Sequence, residues 1–233
     1  MKIIELDQNS EEWFEYRKGK SGGSEFGKLF KVSGRGNNKI PDYAYKILAE
    51  RVSKPMTPND YLDDLPDGVP FSWAVRGHIL EPKAASMFAR LYGKVLSDGN
   101  VWADDHIPGS YVSPDRVIIS SDGKIREAVE IKCLSTDKVL KVWANSHSDK
   151  PFDVIPGNDY QAQVIKYFMV NECLDTLYWV VYTDLMTFTN EFMAVLEIKR
   201  SDVDGMVKQA RETEYNTMKY VDDMEELLNS IDN

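Results

Sequence analysis

A carboxylate and an amine lie two residues apart in the segment Ala128–Cys133, which reads AVEIKC. The segment is mostly apolar, which is typical of a buried strand. Because side chains alternate between the two faces of a strand, Glu130 and Lys132 should point to the same side. Asp115 follows Pro114 at the start of the preceding predicted strand. Pairing of the two strands can therefore bring Asp115 beside Glu130.

This arrangement has the composition of a site for a divalent cation. Two neighbouring carboxylates repel each other unless a cation lies between them. The carboxylates of Asp115 and Glu130, together with a backbone carbonyl such as that of Ile131, are oxygen ligands that suit Mg²⁺ or Mn²⁺. Lys132 beside such an ion can orient a water or stabilise charge on a phosphoryl group. The alternative is a hairpin with a polar outer face, on which Glu130 and Lys132 form an exposed ion pair.

Two predicted helices can add polar side chains to this hairpin. In the helix Trp73–Tyr92, Glu81 is an acid on an otherwise apolar stripe, and a buried acid usually has a partner, which a metal ion could be. In the helix Asp159–Asn171, Gln163 and Tyr167 lie one turn apart, so both could hydrogen-bond a phosphate or a base. The alternatives are a surface glutamate, a glutamine on a helix flank and a tyrosine in the core.

The composition favours an intracellular globular protein. The 233 residues are 42% hydrophobic and 28% charged, and the sequence has no run of about 18 apolar residues that would indicate a membrane span. Two cysteines are too few for a disulfide framework or a cysteine-bound zinc site.

Charge is distributed unevenly along the chain. The net charge of −10 argues against non-specific binding to nucleic acid. However, ten basic and three acidic side chains give residues 17–54 a net charge of +7, while residues 201–233 carry three basic and nine acidic side chains, a net charge of −6. The N-terminal part is therefore the better candidate for a surface that faces a polyanion.

The order of predicted elements indicates a single α/β domain over residues 1–233, in which helices flank a mixed central β-sheet. We divide it into an N-terminal helical, basic part (about 1–70), a core that carries the candidate site residues (about 71–200) and a C-terminal helix (about 201–233). The predicted strands are Lys94–Trp102, Asp115–Ser120, Ala128–Cys133, Thr176–Thr183 and Glu191–Ile198. The predicted helices are a capped helix from Ser10 to near Gly19, a short helix with Ser24 as its N-cap, Asp42–Val52, Trp73–Tyr92, Thr136–Asn145, Asp159–Asn171 and Asp202–Leu228. Two segments, Lys54–Pro70 and Pro151–Asn158, are predicted to be loops.

Taken in order, these residues resemble the PD-(D/E)xK nuclease superfamily and, within it, the phage lambda exonuclease and YqaJ-type viral recombination family. The motifs that carry the resemblance are Trp13, Arg17, Gly19 and Ser24, then Gly77 and Glu81, Pro114-Asp115, Glu130-Ile131-Lys132, and Gln163 with Tyr167. The chain departs from the family at Gly22-Gly23-Ser24, where the family has Thr-Ala-Ser.

The resemblance implies a restriction-endonuclease-like core and a role for each matching residue. The implied metal ligands are Glu81, Asp115, Glu130 and the carbonyl of Ile131, and Lys132 would position the attacking water. The implied contacts to substrate, including a terminal 5′-phosphate, are Arg17, Ser24, Ser113, Gln163 and Tyr167.

The implied reaction is hydrolysis of DNA by two Mg²⁺ or Mn²⁺ ions about 3.5–4 Å apart. Family members degrade one strand of linear duplex DNA from its 5′ end as ring-shaped trimers. The resemblance further implies a single-strand annealing protein as partner and the cytoplasm of a bacterial host cell as location. Two alternatives are a site-specific endonuclease on the same core and a non-catalytic DNA-binding protein.

Overall fold

The computed structural model describes residues 1–8, 10–30, 41, 43–44, 47–48, 51, 73–186, 189 and 191–231. Within these ranges, the strands are β1 (Lys2–Ile4), β2 (Ser21–Gly22), β3 (Ser97–Asp98), β4 (Val101–Ala103), β5 (Ser110–Val112), β6 (Arg116–Ile119), β7 (Ile125–Cys133), β8 (Thr176–Thr183) and β9 (Phe192–Lys199). The helices are α1 (Glu11–Arg17), α2 (Trp73–Tyr92), α3 (Thr136–Ala144), α4 (Pro151–Val154), α5 (Asn158–Val170) and α6 (Arg200–Ile231), with a 3-10 helix at Gly23–Phe30. The predicted loop Lys54–Pro70 and most of the predicted helix Asp42–Val52 lie outside the described residues.

Two sheets form the framework. The larger has the order β3-β6-β7-β8-β9, with β7 parallel to β8 and the other neighbours antiparallel. The smaller has the order β1-β4-β5-β2, in which only β2 and β5 run parallel. Both sheets are therefore mixed, and helices pack against them, which confirms the predicted α/β class. None of the described helices is long and apolar enough to cross a membrane.

The two faces of β7 and β8 pack against different helices. On one face, Val129 and Ile131 pack in a cluster with Leu80, Ala84 and Phe88 of α2. On the other, Trp179 and Val181 belong to a larger core shared with α5 and α6. Because β8 is buried over nearly its whole length, it reads as a continuous apolar run. Strands β7 and β8 are thus held between two apolar layers.

Several elements differ from the predictions. The predicted strand Lys94–Trp102 is two short strands in different sheets, because the chain turns at Asn100, whose φ is +51°. The predicted loop at residues 151–158 contains one helical turn, which begins at a proline, where a missing N–H costs nothing. Ser24 lies inside the 3-10 helix rather than at its cap.

The cap of α1 agrees with the sequence. The Ser10 hydroxyl accepts a hydrogen bond of 3.1 Å from the Trp13 amide, so the helix begins at Glu11, as its capping pattern predicts. Trp13 is buried against Tyr111 and Val101. This packing fixes the helix whose last residue is Arg17.

Candidate active site

The hairpin of β6 and β7 places Asp115 beside Glu130. Arg116 pairs with Val129 across the antiparallel strands, so the residue before Arg116 lies level with the residue after Val129. The Ile131 amide donates a hydrogen bond of 2.6 Å to Oδ2 of Asp115. The β7 backbone therefore fixes the position of the carboxylate.

Glu130 is almost fully buried, with 2% of its surface exposed, and is held by three donors. Lys132 Nζ lies 2.5 Å from Oε1, so Glu130 and Lys132 share a face of β7, as the strand period predicts. From α5, Gln163 Nε2 donates to Oε1 at 2.7 Å and the Tyr167 hydroxyl donates to Oε2. The pair is therefore part of a buried network and not an exposed surface ion pair.

The electrostatics of this network are unbalanced toward negative charge. Burial, followed by the nearby charge of Glu130, raises the pKa of Asp115 well above its usual range, and Glu81 adds to the effect while Lys132 opposes it. Burial alone would lower the pKa of Lys132, but the charges of Glu130 and Asp115 and the hydrogen bond to Glu130 raise it above its ordinary value. Burial and the charge of Glu130 also raise the pKa of the Tyr167 hydroxyl. The amine and the phenol therefore both keep their protons at neutral pH.

Glu81 reaches the same site from α2. Its side chain is half-buried, and its Oε1 accepts a hydrogen bond of 3.1 Å from Arg116 Nη1, so its partner in this structure is an arginine. Gly77 lies one turn earlier, and a side chain built there would meet no atom within 4 Å. The helix therefore leaves open space above the hairpin, and Glu81 borders that space.

Arg17 forms one wall of a cavity of 230 Å³ that extends from the hairpin, which we call the arginine pocket; its other lining residues are Gln8, Trp13, Gly23, Ser24, His78, Glu81, Tyr111, Ser113, Asp115, Lys132, Gln163 and Tyr167. The guanidinium donates to the Tyr111 hydroxyl at 2.9 Å and to Ser24 Oγ at 3.3 Å. It also lies over the Trp13 ring, 4.1 Å from the centroid. Within the described ranges, no carboxylate forms an ion pair with Arg17, so its charge is available to an anion.

All five substrate-binding residues predicted from the sequence line this pocket: Arg17, Ser24, Ser113, Gln163 and Tyr167. Gln163 and Tyr167 face Glu130, whereas Arg17 and Ser24 face each other. Gln8 and Tyr111 are among the lining residues that sequence reasoning missed. Gln8 donates to Ser113 Oγ at 3.0 Å, and Tyr111 orients Arg17. Both lie outside the motifs, and no local pattern marks either of them.

The main chain at Pro114 is held by close packing. A Cβ built at Gly99 would lie 1.7 Å from the Pro114 carbonyl oxygen, so only a glycine allows this approach. The Ser113 hydroxyl also donates to the Asn100 carbonyl at 3.2 Å. The turn at Gly99 and Asn100, which divides the predicted strand Lys94–Trp102, thus supports the segment that presents Asp115.

The donor set at the hairpin is chemically suited to Mg²⁺ or Mn²⁺, because it consists of carboxylates. Among the residues that the structure describes, no group of three His, Cys, Asp or Glu side chains is already arranged to hold an ion. Glu81 and Glu130 are bound by protein donors instead. A cation would exchange with those donors and would offset the charge of Glu130, which after burial is the main cause of the raised pKa of Asp115.

The chain is similar to one protein family and to several solved structures. A sequence profile of the YqaJ-like viral recombinase domain matches residues 12–174. No curated protein sequence gives a significant match. The crystal structure of an alkaline exonuclease (LHK-Exo) from Laribacter hongkongensis superposes with a TM-score of 0.67 at 18% identity, over 95% of this chain and 97% of that chain. The complex of LHK-Exo with dAMP gives the same values. A phage related exonuclease from Haemophilus somnus 129PT has a TM-score of 0.47 at 12% identity, over 91% of this chain and 96% of that chain.

Proposed function

The chain belongs to the YqaJ-like viral recombinase domain family, and from this membership and the geometry of the hairpin we propose that it is a metal-dependent exonuclease that hydrolyses phosphodiester bonds of linear duplex DNA. The membership confirms the family resemblance read from the sequence. One observation carries the proposal: Asp115 and Lys132 line the same cavity as Arg17. Carboxylates that could bind a metal ion and a guanidinium that could bind a phosphate thus line one cavity.

We assign the metal ligands to Asp115, Glu130, Glu81 and the backbone carbonyl of Ile131, with Mg²⁺ or Mn²⁺ as the ion and two ions in each site. Bound ions of this kind supply a nucleophilic water at neutral pH and stabilise the charge of the leaving oxygen. The protein's own part is to fix Asp115 through the Ile131 amide and Glu130 through α5.

Lys132 acts in the proposed reaction as a fixed positive charge. Its ammonium is held against Glu130 and it borders the cavity in which the scissile phosphate would lie. A preorganised charge in a partly dry site stabilises a developing negative charge more strongly than water does. Lys132 therefore positions the attacking water and the phosphoryl oxygens.

The arginine pocket supports the proposal that the enzyme starts at a 5′ end. A guanidinium matches the geometry of a phosphate, and the Arg17 guanidinium is oriented by Tyr111 and Trp13 without a competing carboxylate in the described structure. Ser24 and Ser113 offer hydroxyls on the same walls. A terminal 5′-phosphate bound there would place the next phosphodiester near Asp115.

The setting of this activity follows from the family. We propose a homo-oligomer, a ring-shaped trimer by resemblance, in which the basic N-terminal part faces the DNA and the acidic C-terminal helix faces solvent. We further propose a single-strand annealing protein as partner and the cytoplasm of a bacterial host cell as the place of action, in recombination or end resection.

The test is to incubate the protein with Mg²⁺ and with matched linear and circular duplexes. Degradation of the linear duplex alone is expected, with faster release of nucleotides from 5′-phosphate than from 5′-hydroxyl ends. Cutting of circles would instead identify an endonuclease. Binding without any cutting would identify a DNA-binding protein, and either result would overturn the proposal.

A further inference from the structure

Three cavities meet at the proposed metal site, and their walls differ in charge. His78, Glu81 and Asp115 border all three. The first is the arginine pocket. The second, which we call the strand cleft, has a volume of 860 Å³ and is completed by Ser24, Gly77, Ile131, Lys132, Cys133, Leu134, Ser135, Lys138 and Tyr160. The third, which we call the acidic cavity, has a volume of 350 Å³ and is completed by Leu6, Asp7, Gln8, Pro82, Asp98, Gly99, Asn100 and Arg116.

Charge separates the strand cleft from the acidic cavity. Beyond the shared acids, the described lining of the acidic cavity adds Asp7 and Asp98 and a single cation, Arg116. That cation already donates to Glu81 and lies 4.0 Å from Asp98. Among the residues that the structure describes, the strand cleft adds Lys132 and Lys138 and no further acid. A phosphate backbone would therefore be repelled from the acidic cavity and attracted into the strand cleft.

We propose that the scissile strand continues from Asp115 into the strand cleft, where Lys138 contacts a backbone phosphate and the Tyr160 ring contacts a base or sugar. This inference rests on the proposed function and names further substrate-binding residues for it. The volume of the cleft lies within the range of sites that take ligands as large as a nucleotide. The cleft also begins at Lys132, so a strand that leaves the metal site enters it directly.

Lys138 and Tyr160 both lie beside buried side chains that hold them in place. Lys138 is exposed on α3, and the helix is anchored by Val139 and Val142, which are fully buried. The centroids of the Tyr160 ring and the buried Trp179 ring are 5.8 Å apart. The Lys132 ammonium lies 5.6 Å from the centroid of the Tyr160 ring. Tyr160 is therefore a fixed aromatic surface beside the metal site, of the kind on which nucleic-acid bases stack.

The same helix supplies a matched control. Lys141 is one turn further along α3 and is also exposed, but it does not border the strand cleft. We compare Lys138→Gln with Lys141→Gln on a linear duplex at several salt concentrations. Lys138→Gln should raise KM several-fold with kcat within about twofold of wild type. Because each neutralised phosphate contributes roughly 0.7–0.9 to the salt dependence, its plot of log kcat/KM against log salt should be shallower by about that amount.

Tyr160→Phe and Tyr160→Ala test the aromatic contact by fluorescence anisotropy of labelled DNA without divalent cations. The phenylalanine variant should bind as wild type does, and the alanine variant should bind several-fold more weakly. Equal KM, salt slope and DNA affinity for the Lys138 and Lys141 variants would overturn the inference while the nuclease proposal stands. If wild type binds DNA without cutting it, the function fails and the anisotropy comparison of the two lysine variants still decides the cleft. If wild type neither binds nor cuts DNA, both fail.

Discussion

The amide of Ile131 donates its hydrogen bond to the carboxylate of Asp115 at 2.6 Å, across the hairpin that joins β6 to β7. An acid placed beside Glu130 is repelled by it, and this main-chain bond holds Asp115 there nonetheless. The backbone thus sets the position of the proposed metal ligand, while burial and the neighbouring charges make ionisation of its carboxyl unfavourable. These two contributions can be separated by substitution.

Asp115→Asn should abolish cleavage and stabilise the metal-free protein. An amide keeps the acceptor for Ile131 and removes the repelled charge. Because burial and the charge of Glu130 disfavour ionisation of Asp115 in the folded state, the neutral amide should raise the free energy of unfolding, and for a chain of this size each kcal/mol gained corresponds to about 2–4 °C in Tm. Thermal unfolding with and without Mg²⁺ measures it.

The stability gained by Asp115→Asn should depend on pH. Because the folded pKa of Asp115 is raised, the folded state binds more protons than the unfolded state between the two pKa values, and wild-type stability falls as pH rises through that window. The advantage of Asp115→Asn should therefore be small near pH 4 and larger at neutral pH. Mg²⁺ should raise the Tm of wild type only. An equal Mg²⁺ shift in both proteins would contradict Asp115 as a ligand.

Lys132→Gln should lower the cleavage rate by roughly 10²-fold or more, as for other preorganised charges. Some loss of stability is also expected, because Glu130 loses its ion-pair partner but keeps Gln163 and Tyr167. Lys199→Gln is the control, since Lys199 is exposed and lies outside the site. Circular dichroism should show a folded Lys132 variant. A folded variant that cleaves as fast as the control would rule out a catalytic role.

Arg17→Gln should remove the preference for 5′-phosphate over 5′-hydroxyl ends. The guanidinium that faces Ser24 and Tyr111 is the charged group we assign to that phosphate. Rates on the two linear duplexes give the preference as a ratio, which should fall to about one in the variant. Arg90→Gln, a change at an exposed arginine on α2, should keep the wild-type ratio. The Mg²⁺-dependent rise in Tm should survive in both variants.

The buried pair of Lys166 and Glu214 should stabilise the contact of α5 with α6 only as a pair. Neither side chain has any exposed surface, and Lys166 also lies 2.6 Å from Ser110 Oγ. Burial lowers the pKa of Lys166 despite the opposing charge of Glu214. Removing one partner leaves a buried charge, at a cost of about 3–5 kcal/mol.

Urea denaturation of Lys166→Met, Glu214→Leu and the double variant measures this coupling. Each single variant should lose about 3–5 kcal/mol and the double variant much less, because two apolar side chains of similar size replace a desolvated pair. Additive losses would show that the two charges do not compensate each other. Lys166 immediately precedes Tyr167, so the single variants should also cleave more slowly.

The two cysteines should differ in reactivity. Burial raises the pKa of the Cys133 thiol to about 12. The charge of Arg76 opposes this shift, and the charges of Glu81, Asp115 and Asp184 add to it. Only the thiolate reacts readily with an alkylating agent. At pH 8, iodoacetamide should label the exposed Cys173 first and Cys133 slowly, as mass spectrometry can show. Cys173→Ser should leave an almost unlabelled protein; fast labelling of that variant would contradict the environment described for Cys133.

Long periodic elements could be predicted from the sequence. The bounds of α2 and β8 agree with the predicted ones, because α2 has a helical apolar stripe and β8 is a continuous apolar run between polar residues. The shared face of Glu130 and Lys132 also followed from the strand period. In these elements the local pattern and the tertiary contacts require the same structure.

The smaller sheet could not be predicted. Its strands are two or three residues long, which is too short to display a period, and β1 and β4 are paired across about 100 residues of sequence. For the same reason, Gln8 and Tyr111 were missed as members of the arginine pocket. Their positions are set by pairing between distant segments, which a single sequence does not reveal.

Gly99 contacts the Pro114 carbonyl so closely that residue 99 should be as sensitive to substitution as a catalytic residue, although glycine takes no part in the reaction. Even alanine at residue 99 must displace the main chain that presents Asp115, although residue 99 carries no functional group. Gly77, which faces open space, has no such constraint from its neighbours. In a saturation library selected for activity, substitutions at residue 99 should be lost as often as substitutions at Asp115. At residue 99 the cause would be the space that a side chain would occupy.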